Sequence, residues 1–343
     1  MHQPQEVVYR AVEAPTADLR QPALRVFQGK MKNKLALTVI LSVTICTGAF
    51  AGVTFNPTFT SNFTSGFGVT GQNAWIAAAN NLGSHYSDNI HINITVDAQA
   101  SGLGGSSTPI LSFSYAALYN AILADQKSAD DATTNGTGGS LGGNGTAGSA
   151  ADPVVAGAHS WWATRAQAKA IGLIGDDISP GIDGTILFGT GVSYTFFGPI
   201  APGTYDFQSV AAHEISEIMG RIGLSGTTAI TGSPAYSLVD ALSFSGPGAR
   251  VLGTGGNPFF SMNAGGTLLK AFNTIAGADT RDWAGGTPDS FDAFGTPGVT
   301  GLVTPVDFQI VDVIGYDLAV PEPGTGLMLA TALALFGTLA RRR

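Results

Sequence analysis

Between Tyr205 and Arg221 the chain reads YDFQSVAAHEISEIMGR, and this stretch limits the fold more than any other. Phe207, Val210, Ala211, Ile215 and Ile218 give it the apolar faces of a helix, and Asp206 or Ser209 can cap its N-terminus. Residues four apart stack on one side of a helix, so His213 and Glu217 point the same way. Glu214 lies about 100° round from His213. That is the geometry of a helix that holds a metal with two side chains and keeps an acid beside it.

The rest of the chain has to supply a core for this helix. Apolar residues make up 44% of the 343 residues, which is ample, while the charged share of 12% is only about half the usual one. With 47 glycines, much of the chain must be loops, tight turns and closely packed backbone. The formal charge of −8 argues against nucleic acid as a partner. From Gly52 to Ala319 there are 20 acidic and 7 basic residues, a net charge of −13. An acidic, lysine-poor surface suits an exported protein and is compatible with structural calcium, Ca2+, in its Asp/Gly loops.

Four segments are expected. Residues 1–30 show no periodicity and read as an upstream segment preceding the true start at Met31. Residues 31–51 combine Met-Lys-Asn-Lys, an apolar run from Leu35 to Ile45 and a small-residue end at Ala49-Phe50-Ala51, the pattern of a secretory signal peptide. Cys46, the only cysteine, falls inside it, so the exported part has no disulfide or thiol chemistry. Residues 52–319 form one α+β domain. Within it, helices are expected at Asn73–Leu82, Ser112–Ala124, Trp161–Leu173 and Thr304–Tyr316. Strands are expected at His91–Asp97, Asp183–Phe188 and Tyr194–Phe197. Residues 132–151 are rich in Gly, Ser, Thr and Asn and read as a loop that packs no core. Residues 320–343 hold Pro-Glu-Pro, an apolar run from Leu327 to Leu339 and three terminal arginines. That run is short of the ~20 residues usual for a full span, and the arginines suit a cytoplasmic end.

A common helical zinc site is His-Glu-x-x-His, with the glutamate taking a proton from the metal's water. Here the order is His213-Glu214-Ile215-Ser216-Glu217, with glutamate where the second histidine would stand. A carboxylate is a legitimate zinc ligand but adds negative charge and weakens the metal as a Lewis acid. No phosphate loop or cysteine pair offers a rival site.

Four landmarks in order resemble a group of secreted bacterial zincin-type, metzincin-like metalloproteases. They are Trp161–Leu173 (WWATRAQAKAIGL), Asp183–Phe188 (DGTILF), the Tyr205–Arg221 helix and Thr304–Ala319 (TPVDFQIVDVIGYDLA). The tail of residues 320–343 resembles a PEP-CTERM sorting signal. The first resemblance implies a zincin-like domain with a twisted sheet and an active-site helix, zinc (Zn2+) as cofactor, a protein or peptide substrate, His213 as ligand, Glu214 as general base and Glu217 at the second-ligand position. The last ligand of the longer metzincin motif would fall at Gly223, which has no side chain to offer. The third ligand must come from elsewhere, and Asp240 is the leading candidate, ahead of His159, His85 and His91. Met262 could supply a methionine turn or plain core. The second resemblance implies export from a Gram-negative cell, transient inner-membrane contact through the tail, and processing by an exosortase. The competing expectation is a non-catalytic surface or matrix protein that keeps a degenerate zincin fold.

Overall fold

The polypeptide alternates between strands that bury every second side chain and helices that close over them. The structure, a computed structural model, describes residues 52–142, 151–155, 157–176 and 181–319. The expected upstream segment, signal peptide, Cys46 and C-terminal tail lie outside the described residues. Those described belong to one compact unit, of α+β class.

The elements run in the order β1 (Thr54–Phe59), α1 (Ser61–Gly83), β2 (His91–Gln99), β3 (Gly104–Ser107), β4 (Ile110–Phe113), α2 (Tyr115–Asp125), α3 (Ala129–Asn135), β5 (Ser160–Thr164), α4 (Arg165–Ala170), β6 (Gly184–Gly189), β7 (Tyr194–Thr195) and β8 (Tyr205–Asp206). They continue with α5 (Phe207–Ile218), β9 (Ala235–Tyr236), α6 (Leu238–Ala241), β10 (Ser243–Gly246), β11 (Ala249–Arg250), β12 (Phe259–Phe260), β13 (Lys270–Ala271) and α7 (Pro305–Val313).

The sheet that carries the site has the order β1-β2-β6-β3. Its first three strands are parallel, and β3 runs antiparallel to β6 along the edge. Ile92, Ile94 and Val96 of β2 and Ile186 and Phe188 of β6 are buried on alternate positions, the period-two pattern of a strand with a covered face. Helices α1 and α5 pack against this sheet and against each other. Phe207, the first residue of α5, stacks on Phe188 at 4.5 Å between ring centroids, and Phe63 of α1 meets Phe188 at 5.8 Å. This aromatic knot, buried at 0% exposure for all three rings, fixes where the helix starts.

Two expectations fail for identifiable reasons. Trp161–Leu173 is not one helix: Ser160–Thr164 is a strand paired with β4 and β9, and helix begins only at Arg165. Consecutive Trp161-Trp162 suits a pleated strand, and Thr164 caps the helix by accepting from Gln167 N at 3.1 Å. Nor does the Gly/Ser-rich stretch begin as loose loop. Thr134, Asn135, Ser140 and Leu141 are all buried, because Ser128 and Asp131 form a capping box that starts α3. Helix α1 also begins earlier than its apolar periodicity suggests, at Ser61, with a break at Gly68 (φ 61°).

Candidate metal centre

Helix α5 is held at both ends. At its N-terminus Asp206 Oδ1 accepts from Gln208 N (3.0 Å) and Ser209 N (3.3 Å). At its C-terminus Gly220 takes φ 117°, a conformation that favours glycine, and turns the chain away. Between these stops His213 and Glu217 lie one above the other on the face turned to a cavity of about 370 Å³.

The structure brings a third acid to them from a distant loop. Asp282 Oδ2 lies 3.5 Å from His213 Nε2, and Glu217 Oε1 lies 3.5 Å from the same nitrogen. One ligand atom from each of the three residues falls within 4.8 Å of the other two. Zinc bonded to tetrahedral N and O donors at ~2.0–2.1 Å places its ligand atoms roughly 3.3 Å apart. The two distances from His213 Nε2 are close to that spacing.

Each of the three candidate ligands is oriented from behind. His213 Nδ1 is 2.9 Å from the carbonyl oxygen of Ser290. A carbonyl only accepts, so Nδ1 carries the proton and donates, leaving Nε2 to face the two carboxylates. Glu217 Oε2 accepts from Ser106 Oγ of β3 at 2.7 Å. Asp282 Oδ1 accepts from Arg221 Nη1 at 2.6 Å, and Arg221 Nε donates to Ser216 Oγ at 2.8 Å. The Arg221 side chain has no exposed surface, and its guanidinium lies 4.4 Å from the centre of the Phe291 ring.

Glu214 stands beside this group on the cavity wall. Its carboxylate packs on Gly104 of β3 so closely that a Cβ there would lie 2.4 Å from Oε1. Burial pushes the Glu214 carboxyl well above the usual carboxylate range, and the charge of Glu217 adds to this. Burial also acts on Glu217, but the hydrogen bond and charge of His213 reverse it and hold Glu217 below its ordinary value. His213 is raised: burial opposes its charged form, and Asp282 more than offsets that. Asp282 falls to about 2 despite its burial, because His213 and Arg221 both favour its carboxylate. Asp279, also on the cavity wall, rises to about 6 by burial and by the nearby Glu217 charge.

Asp240 does not join the centre, which corrects the expectation for the third ligand. Its Oδ2 accepts from the backbone N–H groups of Leu224, Ser225 and Ser237, and its Oδ1 accepts from Arg281 Nε at 3.0 Å. It caps α6 and neutralises a buried arginine. Gly223, where the resemblance would place a last ligand, packs on the same Arg281 side chain. The other histidines among the described residues are also occupied elsewhere: His159 with Asp152 at 3.0 Å, His91 with Asp176 at 2.8 Å, and His85 tilted against the Phe308 ring at 4.0 Å between centroids. Met262 packs at the margin of the core.

Asp282, the Ser290 carbonyl and Arg221 as a partner of Asp282 were not foreseen. Five acids follow the helix between residues 240 and 292, and no local spacing separates Asp282 from the others. A second acidic group, Asp88, Asp125 and Asp317, also gathers within 4.8 Å. There Lys127 already pairs with Asp317, and Asp88 Oδ2 accepts from Asp317 N.

Comparison with protein-family models, curated proteins and solved structures returns no match.

Proposed function

We propose that this protein is an exported zinc-dependent metallopeptidase. The observation that supports this best is the convergence of His213 Nε2, Glu217 and Asp282 on one point of a cavity that also holds Glu214. One nitrogen and two oxygens suit zinc and leave a fourth position open to water or substrate. A zinc ion bound there would polarise a scissile carbonyl and bring the pKa of its water toward ~7.

The chain's own residues do the rest. The Ser290 carbonyl keeps the His213 ring in the tautomer that presents Nε2. Ser106 and Arg221 hold the outer oxygens of Glu217 and Asp282, so the inner oxygens stay directed at the centre. Glu214, fixed by its contact with Gly104, takes a proton from the attacking water and returns it to the leaving amine. The expected export signal and PEP-CTERM-like tail add an extracellular protein or peptide substrate, an exosortase partner and brief membrane contact. Among the described residues no helix is long and apolar enough to cross a membrane.

Two measurements on purified protein test the reading. Stoichiometric zinc, removable by chelator, is expected, with cleavage of casein or gelatin. Glu214→Gln should keep the zinc and lose ~10²–10⁴ in rate. A protein that binds no zinc overturns the metal centre; one that binds zinc yet cleaves nothing fits the non-catalytic alternative.

A further inference from the structure

The cavity that holds the proposed metal centre carries more negative charge than a metal needs. Six carboxylates line it, those of Glu214, Glu217, Asp279, Asp282, Asp289 and Asp292, and among the described residues no lysine or arginine does. Glu217 and Asp282 would share the ion, and Glu214 would serve its water. Asp289 is paired with Lys270. Asp279 and Asp292 remain: neither belongs to the group of three that could hold the metal, and neither makes an ion pair among the described residues. Even with zinc bound, and with Arg221 and Lys270 behind the wall, the cleft keeps an excess of negative charge.

The two remaining acids differ in reach. Asp292 turns Oδ1 into the interior, where it is shielded from solvent and has no hydrogen-bond partner. Asp279 is an exposed residue. It also lines a smaller neighbouring cavity of about 190 Å³, which shares Ser106, Glu217 and Asp282 with the first. The wall of the main cavity further includes Leu103, Val210 and Phe294, and Phe294 is 48% exposed. Lysine and arginine suit such a surface, since each has an apolar stem and a cationic head. An acidic side chain would be repelled, and a cleft lined by one sign of charge concentrates ligands of the other.

Resting on the metallopeptidase reading, we propose that the cleft selects peptides with a lysine or arginine side chain close to the scissile bond, and that Asp279 reads its charge. The stem of that side chain lies along the apolar wall, and its head pairs with the Asp279 carboxylate. Asp279 acts on substrate choice alone and takes no part in holding the metal.

Peptides of one neutral sequence, differing at a single central residue as lysine, norleucine or glutamate, test this. Their binding to zinc-loaded Glu214→Gln protein is followed by fluorescence anisotropy, and their cleavage by the parent protein is measured in parallel. The lysine peptide should bind roughly fivefold more tightly than the norleucine one, the upper end for an ion pair at an accessible position. The glutamate peptide should be weakest, and kcat/KM should follow the same order. Asp279→Asn should keep the zinc and bring the lysine-to-norleucine ratio to about one. Asp279→Glu, which keeps the charge, should retain most of the preference, and high salt should shrink it. Equal binding of the three peptides overturns the proposal, as does a preference that survives Asp279→Asn. Loss of zinc from Asp279→Asn also overturns it, as does a second equivalent of zinc in the parent, since Asp279 would then be a metal ligand. Cleavage of all three peptides at equal rates sinks the proposal and leaves the metallopeptidase reading standing. Selective binding without cleavage does the reverse: charge recognition by Asp279 stands and the metallopeptidase reading falls.

Discussion

Replacing Arg221 by Met puts the buried charge pair at the proposed metal centre to the test. Arg221 has no exposed surface, and the Asp282 side chain is only 5% exposed. Removing the guanidinium takes one of two positive partners from a buried carboxylate and leaves only His213 beside it; breaking a buried pair costs up to about 3–5 kcal/mol. Met keeps a side chain of similar length against Phe291, so little of the loss comes from packing. Urea denaturation of metal-free protein should show a lower midpoint with an unchanged slope. The double substitution Arg221→Met/Asp282→Asn removes the stranded charge and should recover most of the loss, giving an interaction energy on the order of 2–3 kcal/mol. Saturating zinc should recover part of it in the single variant, since the ion is a second positive partner for Asp282. Arg221→Lys should fall between, because an ammonium cannot reproduce the fork that reaches both Ser216 and Asp282. A cost below ~1 kcal/mol for Arg221→Met, or one that Asp282→Asn fails to relieve, would refute the argument.

Other outcomes follow from the same geometry. Asp282→Asn should lower zinc affinity by more than the roughly 10–100-fold of an outer-shell change. Asp240→Asn should leave zinc stoichiometry intact and destabilise the fold by about 3–5 kcal/mol through Arg281, so metal analysis beside denaturation separates the two. Gly104→Ala pushes a methyl group to 2.4 Å from Glu214 Oε1 and 2.7 Å from Val210 Cγ1; kcat should fall more than KM changes, and an unaltered kcat would show that Glu214 is not held by β3. Burial raises Asp88, Asp307 and Asp312 to about 7 each. Between the unfolded value near 4 and that folded value the native state binds the extra protons, so stability must fall as pH rises through this window. Thermal melts of metal-free protein from pH 5 to 8 should show this, with a flatter profile for Asp312→Asn; melting points that rise over that range would contradict it.

What was legible in the sequence follows from how local each signal is. The start and inward face of α5 were readable because a cap and a helical period both act within four residues. The strand at His91 was readable because strict alternation over seven residues has few other interpretations. The Trp161 segment misled because apolar and alanine-rich residues satisfy a helical count even where the first five pair into a sheet, a decision made by β4 and β9 elsewhere in the chain. Asp282 and Asp240 are the clearest case. Both are buried acids beside an arginine, and only tertiary folding decides which one turns inward to His213 and which one caps a helix.

Glutamate in place of a second histidine looks unfavourable from sequence alone, since it dilutes the positive charge on which a zinc site depends. The surroundings alter that judgement. A centre of three neutral histidines leaves the full charge of the ion exposed to its water, whereas Glu217 and Asp282 bring two negative charges. Arg221 sits wholly buried, 2.6 Å from the outer oxygen of Asp282, and offsets one of them inside a medium where charges are poorly screened. Ser106 draws density from Glu217 in the same way, through a hydrogen bond to its outer oxygen. The acid at position 217 and the arginine at 221 are thus two halves of one electrostatic arrangement. An Arg221→Met protein that still binds zinc should accordingly show a higher pKa on the alkaline-rising limb of its rate profile than the parent.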